Sequence, residues 1–211
     1  AAEGGATPIV HSAEVAAFLE AGFPDFARQL EAKGVRYIRV MPEVTDAASA
    51  QGRSWKETYC VSTRAEAEEA MRGQGTSWEW LPSGDCRTVT AVLPALRTDP
   101  RTGRRVFFNS VVAAFTGWND ARNVGEKAVV LGDGAPVDAE AVRAVAAFMR
   151  ERRVAFRWHQ GDVLLIDNNL VMHSRDTFVP PRRILAALCG PPLRARAHAD
   201  VPDGDEPRAL R

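Results

Sequence analysis

Cysteine is scarce in this chain: 211 residues hold three, Cys60, Cys86 and Cys189, with no Cys-x-x-Cys pair. An odd number at wide spacing argues against a disulfide framework and against a zinc ribbon. Buried free thiols are expected instead. Long apolar runs are missing as well, none approaching the roughly 20 residues of a membrane span. The first residues carry neither a basic region nor an apolar signal core, so a soluble, intracellular protein without membrane attachment is expected. Net charge is absent, Lys+Arg and Asp+Glu being 27 each, and no global field draws the chain to nucleic acid. No internal repeat recurs at solenoid spacing.

What is present suffices for one ordinary core, with 45% hydrophobic and 26% charged residues. Gly4-Gly5-Ala6-Thr7-Pro8-Ile9-Val10 reads as a turn entering a strand. Ser12 is the expected N-cap of a helix over Ala13 to Glu20, and a second helix is expected from Pro24 to Lys33 with Gly34 as its stop. Val35 to Val40 alternates apolar and polar residues as a half-buried strand does, its arginines facing water or a cleft. Pro42 to Gly52 reads as a surface loop. Thr63 and Glu66 form a capping-box pattern ahead of a helix ending near Gly73.

Short strands separated by turns follow, at Ser77 to Leu81 and Arg87 to Val92. Leu96 to Thr98 and Arg105 to Asn109 flank Asp99-Pro100-Arg101-Thr102-Gly103 as a hairpin. Asp138 is positioned to cap a helix with Val142, Val145, Ala146 and Met149 on one face. Ala155 to Trp158 and Val163 to Asp167 read as two more strands around Gly161-Asp162, with a further strand from Arg183 to Leu185. The fold class is therefore mainly β with flanking helices (α+β), in a sandwich or jelly-roll pattern. Residues 1–190 form the expected domain. Residues 191–211, rich in Arg, Ala, Asp and Pro, form a polar tail expected to be disordered.

The chemistry concentrates near the C-terminal end. His173 follows an apolar strand, where an imidazole either hydrogen-bonds within the fold or reaches into the mouth of a barrel. Arg183 opens the next strand, and a permanent charge turned inward there needs an anion, either an internal carboxylate or one belonging to a ligand. Arg182 should face the other way by strand alternation. His159, beside a Gly-Asp turn, is expected at the surface. Asn109 and Trp118 are candidates to line the substrate side of a cleft.

Arg97-x-x-Pro100-x-Thr102-Gly103-Arg104 resembles the R-x-x-P-x-T-G-R hairpin of the taurine dioxygenase (TauD/TfdA-like) oxygenases. Gly4-Gly5-Ala6-Thr7 is similar to that family's G-G-x-T segment. Gly161-Asp162 with Asp167-Asn168, His173 and Pro181-Arg182-Arg183 resemble its closing motifs in the same order. The likeness runs from about residue 3 to residue 190, and Trp55 to Trp80 looks like the clavaminate-synthase-like branch.

The resemblance implies a double-stranded β-helix (jelly-roll) that uses Fe(II), 2-oxoglutarate and O2 to oxidise a small organic substrate, commonly by hydroxylation. It implies His173 as the distal of three iron ligands, Arg183 as the partner of the far carboxylate of 2-oxoglutarate, and Thr7 as a hydroxyl donor to the same carboxylate. Two features depart from the pattern. The family's H-x-D/E lies about two dozen residues before G-G-x-T, so an N-terminally incomplete C-terminal part of a longer oxygenase is expected. The position four residues after Arg183, where taurine-cleaving members carry a second arginine, is Ala187, which argues against taurine. The alternative is a non-catalytic jelly-roll binding module or degenerate oxygenase. A jelly-roll short of a strand exposes an unpaired edge, so self-association is a further expectation.

Overall fold

The computed structural model describes residues 3–187 and 189, and the expected polar tail over 191–211 lies outside them. In chain order the elements are β1 (Glu3–Gly4), β2 (Ile9–His11), α1 (Ser12–Gly22), α2 (Pro24–Lys33), β3 (Val35–Met41), α3 (Trp55–Tyr59), α4 (Arg64–Gly73), β4 (Ser77–Trp80) and β5 (Cys86–Val89). They continue with β6 (Leu96–Thr98), β7 (Arg105–Phe107), α5 (Val111–Gly117), β8 (Val129–Leu131), α6 (Ala139–Arg152), β9 (Val171–His173) and β10 (Phe178–Val179). The architecture is mixed α+β, and every ladder is antiparallel.

Local chemistry explains most helix ends. Pro24 opens α2, and Gly34 closes it at φ 63°, a left-handed value that glycine adopts without Cβ strain. Thr63 and Glu66 close a reciprocal capping box on α4. The Asp138 carboxylate accepts from the Ala141 N–H at 3.0 Å to start α6, whose Val142, Val145 and Ala146 are buried.

The start of α1 departs from expectation. The cap is His11, whose Nδ1 accepts from Ala13 N–H at 3.3 Å. Ser12 is already helical and is buried, because its hydroxyl donates to the Asn169 carbonyl and its N–H to the Leu170 carbonyl. A tertiary contact has taken the hydroxyl from its local role.

A four-stranded sheet runs in the order β4-β5-β3-β8. Asn123 works as a side-chain extension of its ladder, with Oδ1 accepting from Val40 N–H at 2.8 Å and Nδ2 donating to Val40 O at 3.1 Å. Arg39 does not simply face solvent, since its guanidinium donates to the Gln51 carbonyl at 2.9 Å beneath the 42–52 loop. The remaining ladders are two-stranded, the hairpin β6-β7 and the long-range pairs β1-β10 and β2-β9.

Two apolar clusters are buried. The larger joins α1, α2, α5 and α6 to β3 and β8 through residues such as Leu19, Leu30, Val35, Phe107, Val129 and Val142. The smaller gathers Met41, Trp55, Ala67, Met71 and Cys86, with Trp55 and Trp80 edge to face at 5.0 Å. Cys86 is buried as expected, but Cys60 and Cys189 are exposed. Cys60 follows α3 in the left-handed region at φ 55°, where the chain turns back toward solvent.

Three expected strands do not form. Residues 155–158, 163–167 and 183–185 have no ladder partner, although Val154 bridges Ile9 just before the first of them. Val163 and Leu165 are 92% and 93% exposed. An apolar run specifies a strand only where a neighbouring edge and a face to bury are on offer. Among the described residues no helix is long and apolar enough to cross a membrane.

Candidate active-site cleft

The pairing of β2 with β9 is the step that assembles a site. It sets Ile9 opposite His173, Val10 opposite Met172 and His11 opposite Val171, joining sequence segments more than 150 residues apart. Beside this pair, α5 and α6 leave a cleft of about 520 Å³. One part of its wall is apolar, with Ile9, Val10, Val112, Met149 and Met172, and polar side chains including Arg150, Arg153, Asn168 and His173 share the lining. Such a mixture of apolar wall and polar or charged groups suits a small organic ligand that carries polar substituents.

His173 ends β9 and is exposed. Among the described residues its ring has no hydrogen-bond partner, so both nitrogens are open to a ligand. Asn109 also lines the cleft, but its amide is committed: Nδ2 donates to Ala95 O and Oδ1 accepts from Val111 N–H, both at 2.8 Å. It serves the backbone at the start of α5. Trp118 lies elsewhere, half-buried at the end of α5 with its ring 5.8 Å from that of Tyr37. Tyr37 in turn accepts from Ser110 N–H at 2.8 Å, and burial pushes its phenol up to about 12.

Thr7 stands just outside the cleft lining. Its Oγ1 accepts from the indole N–H of Trp158 at 2.9 Å, which orients the hydroxyl and leaves its hydrogen free to donate. Sequence reasoning missed Trp158. Its only local signal is an aromatic pair with Phe156, the rings 5.1 Å apart.

The glycines ahead of Thr7 are required by close packing. Gly4 and Gly5 have φ of 68° and 74°, and a Cβ on Gly4 would fall 2.3 Å from the Thr177 carbonyl oxygen. Against Gly5 lies Arg182, whose Nε donates to the Gly5 carbonyl at 3.1 Å while its guanidinium covers the Phe178 ring at 5.5 Å. Arg183 is exposed, with no ion-pair partner among the described residues. The expected alternation, with Arg183 inward and Arg182 outward, is therefore not what the side chains adopt. Residues 181–187 have no strand partner to impose it.

Charged contacts surround the approach to β9. Arg153, on the cleft lining, is neutralised by Asp176 at 2.7 Å. Arg101 pairs with Asp167 at 2.5 Å, and that hydrogen bond, with the Asn169 N–H, holds the Asp167 carboxyl below its ordinary range. His159 is exposed near Asp162, as expected.

Of the residues singled out from the sequence, His173 contributes an open imidazole on the cleft, Thr7 an oriented hydroxyl near it and Arg183 a guanidinium outside it, while the lining itself also carries Arg150, without an ion-pair partner among the described residues. Among the described residues no group of three His, Cys, Asp or Glu side chains gathers to hold a metal. His173 is a fit for one position around an Fe(II) ion, and on its own it does not fill the set.

Comparison with known proteins adds to this geometry. The model of the family described as "Taurine catabolism dioxygenase TauD, TfdA family" matches residues 1–189. A clavaminate synthase-like protein of Arabidopsis thaliana is 45% identical over 186 residues, covering 88% of this chain and 56% of that protein. The dapdiamide synthesis protein DdaC of Enterobacter agglomerans is 26% identical over 202 residues, covering 90% of this chain and 58% of its own. The chain thus spans somewhat more than half the length of each of these two relatives.

Proposed function

The chain belongs to the TauD/TfdA family, and from that premise we propose that it forms the His173-bearing part of a non-haem Fe(II)/2-oxoglutarate-dependent oxygenase acting on a small organic substrate. The observation that carries the reading is the β2-β9 pairing, which brings His173 onto an apolar cleft within reach of the Gly4 to Thr7 segment. In this reading the fold is the double-stranded β-helix of the family, with β1-β10 and β2-β9 as parts of it.

His173 takes one iron position through whichever imidazole nitrogen faces the cleft. Thr7, its oxygen already accepting from Trp158, donates its hydroxyl hydrogen to the far carboxylate of 2-oxoglutarate. Arg183, a planar two-pronged donor free of internal anions, pairs with the same carboxylate. The apolar wall of Val112, Met149 and Met172 takes the organic substrate and keeps water from it. The reading assigns the second His and the carboxylate ligand to protein beyond these 211 residues, in keeping with the greater length of the matched relatives.

The test is turnover of 2-oxoglutarate to succinate, with O2 uptake, by the longest natural form of the protein supplied with Fe(II). Activity that disappears in His173→Ala and needs far more 2-oxoglutarate in Arg183→Leu is the expected result. No 2-oxoglutarate consumption by that form, with any of a panel of small organic acids and amides, would sink the proposal.

A further inference from the structure

The hairpin carrying Arg97 to Arg104 has no role in the assignments above, yet it grips the turn that delivers His173. Its own turn is stiff. Asp99, only 4% exposed, accepts from the Thr102 hydroxyl at 2.7 Å and from the Thr102 N–H at 3.1 Å, and Gly103 provides a φ of 66°. This shape presents Arg101 outward, its guanidinium 2.5 Å from Asp167 Oδ2.

Asp167 builds the next turn from its other atoms. Its Oδ1 accepts from Asn169 N–H at 2.9 Å, and its carbonyl accepts from Leu170 N–H at 3.0 Å and Val171 N–H at 2.9 Å. Val171 is the first residue of β9 and His173 the last. A second arm comes from Arg97, which donates to Asn169 Oδ1 at 3.3 Å while its guanidinium lies 3.6 Å from the Phe108 ring centroid. The three-residue β9 is too short to fix its own position by pairing alone, and the residues ahead of the turn have no ladder partner.

We infer that Arg101 is a positioning residue for His173: through Asp167 it locks the 167–170 turn, and so sets where β9 begins and where its terminal imidazole stands over the cleft. The consequence for metal binding rests on the reading of His173 as an iron ligand; the latch itself does not. The pair is a local device and contributes little to global stability, because Arg101 is largely exposed.

The test is amide hydrogen exchange on the 211-residue chain with Arg101→Gln, Arg101→Lys, Asp167→Asn and the Arg101→Gln/Asp167→Asn double variant. Arg101→Gln is expected to speed exchange at Leu170 and Val171 roughly three- to tenfold, as loss of a partly exposed charge-assisted hydrogen bond should. Val142 in α6 should be unchanged, Arg101→Lys should restore most of the protection, and the double variant should add nothing to the single ones. In the same samples the His173 ring resonances should move while those of His159 stay. Unchanged exchange at Leu170, or an equal rise at Val142, overturns the latch. Fe(II) titration of the longest natural form separates the two ideas. Faster exchange in Arg101→Gln together with no Fe(II) binding by the unsubstituted protein leaves the latch standing and removes the iron reading.

Discussion

Replacing Trp158 with Phe should loosen 2-oxoglutarate binding while barely touching the fold. Trp158 donates its indole N–H to Thr7 Oγ1 at 2.9 Å, across 151 residues of sequence. Phe keeps a six-membered aromatic ring near Phe156 and removes the donor together with the rest of the five-membered indole ring. A neutral hydrogen bond of this kind contributes about 0.5–1.5 kcal/mol net, or roughly a two- to twelvefold change in an equilibrium constant. Without it the Thr7 hydroxyl rotates freely, and in the proposed reading its hydrogen would no longer be directed at the 2-oxoglutarate carboxylate. The cost should therefore appear in ligand affinity, with a melting temperature lower by about 1–6 °C at most for a domain of this size.

Calorimetric titration with 2-oxoglutarate, run on Trp158→Phe, Thr7→Val and the double variant, measures this directly. Thr7→Val removes the donor hydroxyl at nearly constant shape and should weaken binding about tenfold. Trp158→Phe should fall between that value and the unsubstituted protein. The double variant should be no worse than Thr7→Val, since Trp158 acts only through the hydroxyl. Additive losses, or an unaltered affinity in Trp158→Phe beside a weakened Thr7→Val, would refute the reasoning.

Two further substitutions check other parts of the structure. Asn109→Ala leaves the Ala95 carbonyl and the Val111 N–H without their partner, and should lower stability by about 1–3 kcal/mol in urea unfolding; full stability with altered ligand binding would make Asn109 a substrate residue instead. Asp120 is expected to contribute to the loss of stability in acid. Burial raises its carboxyl, but hydrogen bonds from the Ser49 hydroxyl, the Arg122 N–H, and the Asn123 side chain and N–H outweigh that and hold it well below the usual range. A depressed native pKa means that the stabilisation is full above the unfolded value of about 3.9 and is lost as pH falls toward the native one. The stability gap between the unsubstituted protein and Asp120→Asn should be widest near pH 6–7 and narrow steadily below about pH 4, and a gap independent of pH would contradict this.

Much of the secondary structure was legible because its causes are local. Pro24, Gly34, Thr63 with Glu66, and Asp138 act within a turn of themselves, and the Asp99 to Gly103 hairpin is closed by its own side chains. Ser12 shows the limit of that reasoning, since its hydroxyl went to a carbonyl 157 residues away and His11 took the cap. Periodicity misjudged 155–158, 163–167 and 183–185 for the same reason, because a strand is defined by its neighbour. The arginine pair shows it again: with no ladder at 181–187, alternation did not hold, and Arg182 folded over Gly5.

By itself the sequence determined the family, through the ordered residues Gly4-Gly5-Ala6-Thr7, Arg97 to Arg104, His173 and Arg182-Arg183, and with it the kind of chemistry to look for. Composition and order along the chain are sufficient for that, because each motif is a few contiguous residues with its own turn or strand chemistry. Only the tertiary structure decided which of these residues meet. It placed His173 and Asn109 on one cleft, tied Asn109 to the backbone, sent Trp118 to Tyr37, gave Thr7 an indole partner, and set the Arg101 hairpin against the turn before His173. Most of these are contacts between segments tens to more than 150 residues apart, settled by packing and hydrogen-bond satisfaction over the whole fold, and no local pattern encodes them.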